Sequence, residues 1–91
     1  MMDRARAETV ALLALAYLAD DDHRLGRFMG WTGLDATTMR AVPGDGAVLI
    51  GALDYLLRHE ALLLAFAEHA EIDAGDPARA YGVLAGPENF L

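Results

Sequence analysis

Between residues 10 and 19 the chain reads VALLALAYLA, apolar or alanine at every position. At 100° per residue such a run wraps nearly all round a helix, so the pattern predicts a central helix over about 4–19 rather than a superficial one. Polarity returns abruptly at Asp20-Asp21-Asp22-His23. A second helix is expected over about 22–32, capped by Asp21 and stopped by Gly33. Asp35 then caps a short helix over 36–41 that Pro43-Gly44 ends. Asp45 opens a third long helix over about 46–58, and a fourth follows over about 60–70. Asp76-Pro77 is a cap followed by proline, a strong start for a last helix to residue 85, with Gly86-Pro87 as its stop and 86–91 as a short tail. No stretch alternates with period two, so no strand is expected.

The pattern also repeats. Sliding the chain along itself by 38 residues lays 10–36 on 48–74. Identical pairs are Val10/Val48, Ala14/Ala52, Leu15/Leu53, Tyr17/Tyr55, Leu18/Leu56, Leu25/Leu63, Phe28/Phe66, Asp35/Asp73 and Ala36/Ala74. Repeats of this length are helix–turn–helix units that cannot bury their apolar faces alone. The expected fold is therefore all-α, a single domain over 1–91. It is a compact bundle of five or six helices built from two duplicated helix–turn–helix units, about 10–36 and 48–74.

This repeat bears on two local readings. Arg4 and Arg6 before an apolar run, with Ala14-Leu15-Ala16 behind, resemble a secretory signal. The run matches a mid-chain segment, which argues for a folded helix instead. Asp20-Asp21-Asp22-His23 offers metal-competent side chains, but its counterpart is Arg58-His59-Glu60-Ala61, so the two copies share flanks and not chemistry. A helix corner with Asp21 as cap accounts for it, and no metal site is expected.

Composition narrows the chemistry further. The 91 residues carry a net charge of −7, which disfavours phosphate backbones as partners. Ser, Cys, Lys and Gln are absent, which removes serine and cysteine nucleophiles, lysine Schiff bases and the P-loop lysine. His59-Glu60 lacks the second histidine of H-E-x-x-H, since Leu63 stands three residues after Glu60. No carboxylate stands alone in an apolar run; Asp54 comes closest, and the repeat places it toward water. No cofactor and no enzymatic activity are expected.

Two interaction readings remain. GWTGLDATTMRAV (30–42) has helix-turn-helix character, but its second helix would carry one basic residue, Arg40, behind Asp35. The copies differ most in their second helices, where Arg24, Arg27, Met29 and Trp31 face Leu62, Ala65, Ala67 and His69. The segment ALLLAFA (61–67) is apolar nearly all round. It either runs through the middle of the domain or meets another protein. Trp31 beside Arg24 and Arg27 has the composition of an interface hot spot and equally of a core tryptophan next to solvated arginines. The candidate protein-interaction residues are Arg24, Arg27, Trp31 and Leu62. Gly26-Arg27-Phe28-Met29-Gly30 has GxxxG spacing, read as a place where a neighbouring backbone comes close, or as a weakened helix.

LGRFMGWTGLD (25–35) and LLRHEALLLAFA (56–67), so spaced, resemble a family of short all-helical alphaproteobacterial proteins classed as a domain of unknown function. The resemblance covers about 6–85. It implies an all-α fold and a cytoplasmic location, and it implies no activity. The chain departs from the family pattern at both corners, where Asp-Pro would stand at Asp21-Asp22 and an aspartate cap at His59, which leaves the cap of the second corner open. The leading expectation is a small cytoplasmic protein–protein interaction domain, binding a protein partner or forming a homodimer. The alternative is a helix-turn-helix-like DNA-binding regulator. Nucleic acid and membrane are not the expected partners.

Overall fold

A computed structural model describes residues 2–33 and 46–89. They form α1 (Arg4–Ala19), α2 (Asp22–Thr32), α3 (Gly46–Leu57), α4 (Glu60–Ala70) and α5 (Asp76–Asn89), with no strand among the described residues. The expected short helix over 36–41 lies outside the described residues.

The centre is made by α1, α3 and α5, each packed on the other two, while α2 and α4 flank it. The cause lies in the spacing of small residues. Ala7, Ala11 and Ala14 share one face of α1, and with Ala52 of α3 and Ala80 of α5 all are fully buried. Alanine at these positions lets helix axes approach closely. Leu18, Leu53, Leu56, Phe28 and Phe66 are fully buried around this seam. Each contributes roughly 1.5–3 kcal/mol through removal of apolar surface from water. Arg6 of α1 reaches Asp76 of α5 at 3.8 Å, a long pair between an exposed guanidinium and a partly buried carboxylate.

Helix ends follow local chemistry. Asp3 caps α1, its Oδ1 accepting from the Arg6 N–H at 2.7 Å. Asp21 caps α2, accepting from the N–H groups of His23 (2.9 Å) and Arg24 (3.0 Å). Gly33 ends α2 in the left-handed region, φ 80°. At the 38-residue offset the ends of α1 and α2 fall on the ends of α3 and α4, and Glu71, at φ 57°, stands where Gly33 stands. Val10/Val48, Ala14/Ala52, Leu15/Leu53, Leu18/Leu56 and Phe28/Phe66 are buried as pairs.

Several expectations differ from the structure. Residues 61–67 do not run through the middle: of α4 only Phe66 and Ala67 are buried, and Leu64 is 49% exposed. Nor is α1 buried all round, since Leu12 and Leu13 are 47% and 39% exposed. Composition counts apolar residues, whereas burial depends on how many neighbours surround a helix, and α4 has only one face covered. A Cβ at Gly26 or Gly30 would meet nothing within 4 Å, so neither glycine serves a close approach. The last helix starts at Asp76 with Pro77 second, and it runs past Gly86-Pro87 to Asn89 instead of stopping at 85. Proline's own φ is helical, so passing it forfeits one hydrogen bond, to the carbonyl four residues back.

Candidate functional site

The corner between α3 and α4 opens onto α2, and the three helices enclose a groove of about 430 Å³. From α2 come His23, Arg24 and Arg27; from α3 comes Tyr55; from the corner and the start of α4 come His59, Glu60, Ala61 and Leu62. His23 and Arg27 are four residues apart and Arg24 and Arg27 three, so the helical period places all three on one side of α2. Three of the four residues singled out from sequence, Arg24, Arg27 and Leu62, thus line one groove. Trp31 lies one turn beyond Arg27 and is 43% exposed. Its ring sits 5.3 Å from that of Tyr55, with the Arg58 guanidinium 5.8 Å from its centroid.

Tyr55 organises this region. It is buried, and its ring meets Phe28 at 5.3 Å and His59 at 4.4 Å as well as Trp31. Tyr17 has a matching set at the 38-residue offset: Phe66 at 5.5 Å and His69 at 5.2 Å. Tyr17 of α1 therefore packs against aromatic residues of α4, and Tyr55 of α3 against those of α2. The α1–α4 side also has a concavity, about 340 Å³, floored by Tyr17 and Phe66 with Asp20 and His69 on its lining.

The tyrosine carbonyls explain two of the lining residues. Each lies in the last turn of its helix and accepts only a long backbone N–H bond from three residues on, Asp20 to Tyr17 at 3.4 Å and Arg58 to Tyr55 at 3.3 Å, which leaves a lone pair for a side chain. At the end of α1 Arg24 adds donors, with Nε and Nη2 at 3.2 and 3.1 Å from the Tyr17 carbonyl and its guanidinium 4.2 Å above the Tyr17 ring. At the end of α3 His59 does so, with Nδ1 2.7 Å from the Tyr55 carbonyl. A carbonyl only accepts, so Nδ1 carries the proton and Nε2 is the nitrogen left over. Arg24 is thus folded onto the domain's own backbone, while Arg27 projects outward.

The same choice leaves α4 without a side-chain cap. His59 occupies the cap position but makes no capping hydrogen bond, its imidazole being turned back to Tyr55. At the first corner the Asp21 carboxylate holds two N–H groups, and that of Arg24, above all, keeps it below the usual carboxylate range. Desolvation opposes this, and the His23 N–H and the charges of Arg24 and His23 add to the lowering. Asp21 is therefore engaged as a cap, and among the described residues no three His, Asp or Glu side chains converge on a point where a metal would sit. Asp54, the carboxylate closest to an apolar run, pairs with Arg58 at 3.1 Å. Of the helix-turn-helix candidate over 30–42, only residues 30–33 lie within the described residues.

Tyr55, His23 and His59 are not among the interaction residues read from sequence, where the two histidines enter only as metal ligands considered and set aside. Tyr55 carried a signal in being identical in the two copies, and His59 in standing where the family pattern puts an aspartate. What neither signal gives is the side to which the ring turns.

These features define an all-α domain with a mixed basic and apolar groove at one corner. The chain belongs to a family described as protein of unknown function, DUF3572, which matches residues 4–87. No curated protein and no solved structure matches the chain. Among the described residues, no helix is long and apolar enough to cross a membrane.

Proposed function

We propose that this domain is a non-catalytic, cytoplasmic protein–protein interaction module, an adaptor or regulator, and that it docks its partner in the groove between α2 and the start of α4. The observation that carries this reading is the placement of α4. An eleven-residue helix reading EALLLAFAEHA buries only Phe66 and Ala67, and it leaves Ala61 exposed and Leu62 partly exposed in the groove that Arg27 also lines. Apolar side chains gathered next to an arginine and two aromatic rings have the make-up of an interface centre. The absence of serine, cysteine and lysine from the sequence supports the non-catalytic part.

The test compares capture by tagged wild-type protein and by a Leu62→Asp/Trp31→Ala variant, both checked for folding by circular dichroism. A protein bound stoichiometrically by the wild type is expected to be lost from the variant. Undiminished capture by the folded variant would show that another face is used. A dimer seen by light scattering that the variant abolishes would make a second copy of the chain the partner.

A further inference from the structure

Arg27 differs from the other described arginines. Arg4 pairs with Glu8 at 3.2 Å, Arg58 with Asp54 at 3.1 Å, Arg79 with Asp76 at 2.9 Å and Arg6 with Asp76 at 3.8 Å, while Arg24 is held by the Tyr17 carbonyl. Arg27 alone among them has no ion pair or hydrogen bond among the described residues, although the chain has 14 acidic residues for its 7 arginines. It is exposed, and it lines the groove together with His23, His59, Leu62 and Tyr55. Glu60 is the acidic member of that lining, and it makes no ion pair with Arg27. The groove therefore presents an uncompensated cation beside apolar surface, on a chain that is otherwise strongly acidic.

We infer that the groove receives a short segment of another protein in which a carboxylate stands next to an apolar side chain. The carboxylate meets the Arg27 guanidinium, with His23 one turn before it on the same helix, and the apolar side chain lies against Leu62 and Tyr55. This inference rests on the groove being the docking face. Arginine suits the task, since its planar fork holds a carboxylate through two parallel hydrogen bonds. The net charge of −7 sets a limit on the segment. A stretch dense in acids is repelled by the rest of the surface, so one or two carboxylates set among apolar residues are favoured over an acidic run.

Trp31 is the single tryptophan and its ring lies tilted against Tyr55, a lining residue, so its emission reports on the groove. The full chain is titrated with blocked 12-residue synthetic peptides of leucine, phenylalanine and glycine in which one glutamate is moved through every position, and with the matching glutamine peptides. The expected result is saturable change in Trp31 emission, with the best glutamate peptide binding at least five-fold tighter than its glutamine twin. Arg27→Gln is expected to erase that preference while keeping the affinity for the glutamine twin, which is the signature of a direct pair in a double-mutant cycle. Having no ion pair or hydrogen bond among the described residues, Arg27 is the arginine whose replacement is expected to disturb the fold least, and Arg4→Gln serves as the unaffected control. Equal affinity for glutamate and glutamine peptides, a preference that survives Arg27→Gln, or no binding at millimolar peptide would each overturn the inference. Leu62→Asp separates its failure from that of the docking face. If peptides bind without charge preference and Leu62→Asp abolishes that binding, the groove stands and only the carboxylate is wrong. If Leu62→Asp changes neither peptide binding nor capture of a partner, the groove itself is wrong.

Discussion

Exchanging residues at the two left-handed helix stops gives a quantitative prediction with opposite signs. Glu71 ends α4 at φ 57°, ψ 44°, and its N–H reaches the carbonyls of Ala67 and Glu68. An L residue with a Cβ pays roughly 1–2 kcal/mol for this conformation. Its carboxylate also sits at the negative end of the α4 dipole, an unfavourable contribution of about 0.3–1 kcal/mol. Glu71→Gly removes both, and the freer unfolded chain of glycine returns about 0.5–1 kcal/mol. The net expectation is a domain more stable by about 1 kcal/mol, a rise in Tm of roughly 4–8 °C for a chain of this size. Gly33→Ala is the converse. A Cβ there would meet nothing within 4 Å, so the cost is conformational alone, about 0.5–1 kcal/mol of destabilisation. Urea unfolding at neutral pH, followed by far-ultraviolet circular dichroism, measures both, with equal m-values showing that the unfolded state is comparable. A Glu71→Gly variant no more stable than wild type, at unchanged m, would refute the backbone account of this stop.

Four further outcomes are expected. Gly26→Ala and Gly30→Ala should each stabilise by about 0.5–1 kcal/mol in the same assay, because both are exposed helical glycines with open space at the Cβ. The folded-state pKa of Asp21 is lowered, so its contribution is present above the unfolded value and is lost as pH falls through the folded one. Asp21→Ala should therefore be less stable than wild type at pH 7, with the gap closing below about pH 4; a gap that persists at pH 2 would contradict this. His59→Asp should cap α4 at the expense of the donor to the Tyr55 carbonyl, and the Ala61 and Leu62 amides should become more protected from hydrogen exchange. Phe66→Ala should cost about 3–5 kcal/mol, since the ring is fully buried against Tyr17, and its Tm should fall accordingly.

The parts of the fold legible in the sequence are those set by neighbours along the chain. Asp21 and Gly33 bound α2 because a carboxylate before a helix and a glycine after it act within a few residues. The bounds of α1 and α4 were readable too, from apolar runs that end at polar corners, although α4 has neither a carboxylate cap nor a glycine stop. What failed depends on contacts between distant segments. ALLLAFA has the composition of a core helix, but only one face of α4 finds neighbours, and nothing local tells Leu64 that it will face water. The glycines at 26 and 30 have the spacing of a packing motif without a helix to pack against. The groove was half legible. Arg24, Arg27 and Leu62 stand out where the two matching sequence segments differ, whereas the role of Tyr55 arises from ring contacts between helices distant in sequence, as Phe28 to Tyr55 shows. Arg24 shows the opposite error. It reads as a surface cation and is in fact a donor to the α1 carboxyl end.

The central position of α5 has a consequence for how the chain reaches its native state. Ala7 of α1 and Ala80 of α5 belong to one seam, yet most of the chain lies between them. Each helical pair can form from nearby residues, but the seam closes only when the last helix meets the first. Such long-range closure is slow relative to helix formation, because loop entropy is paid before the contacts repay it. During synthesis the sides of α1 and α3 that face α5 therefore stay uncovered until α5 has been made, and that interval is when the domain is most exposed to aggregation.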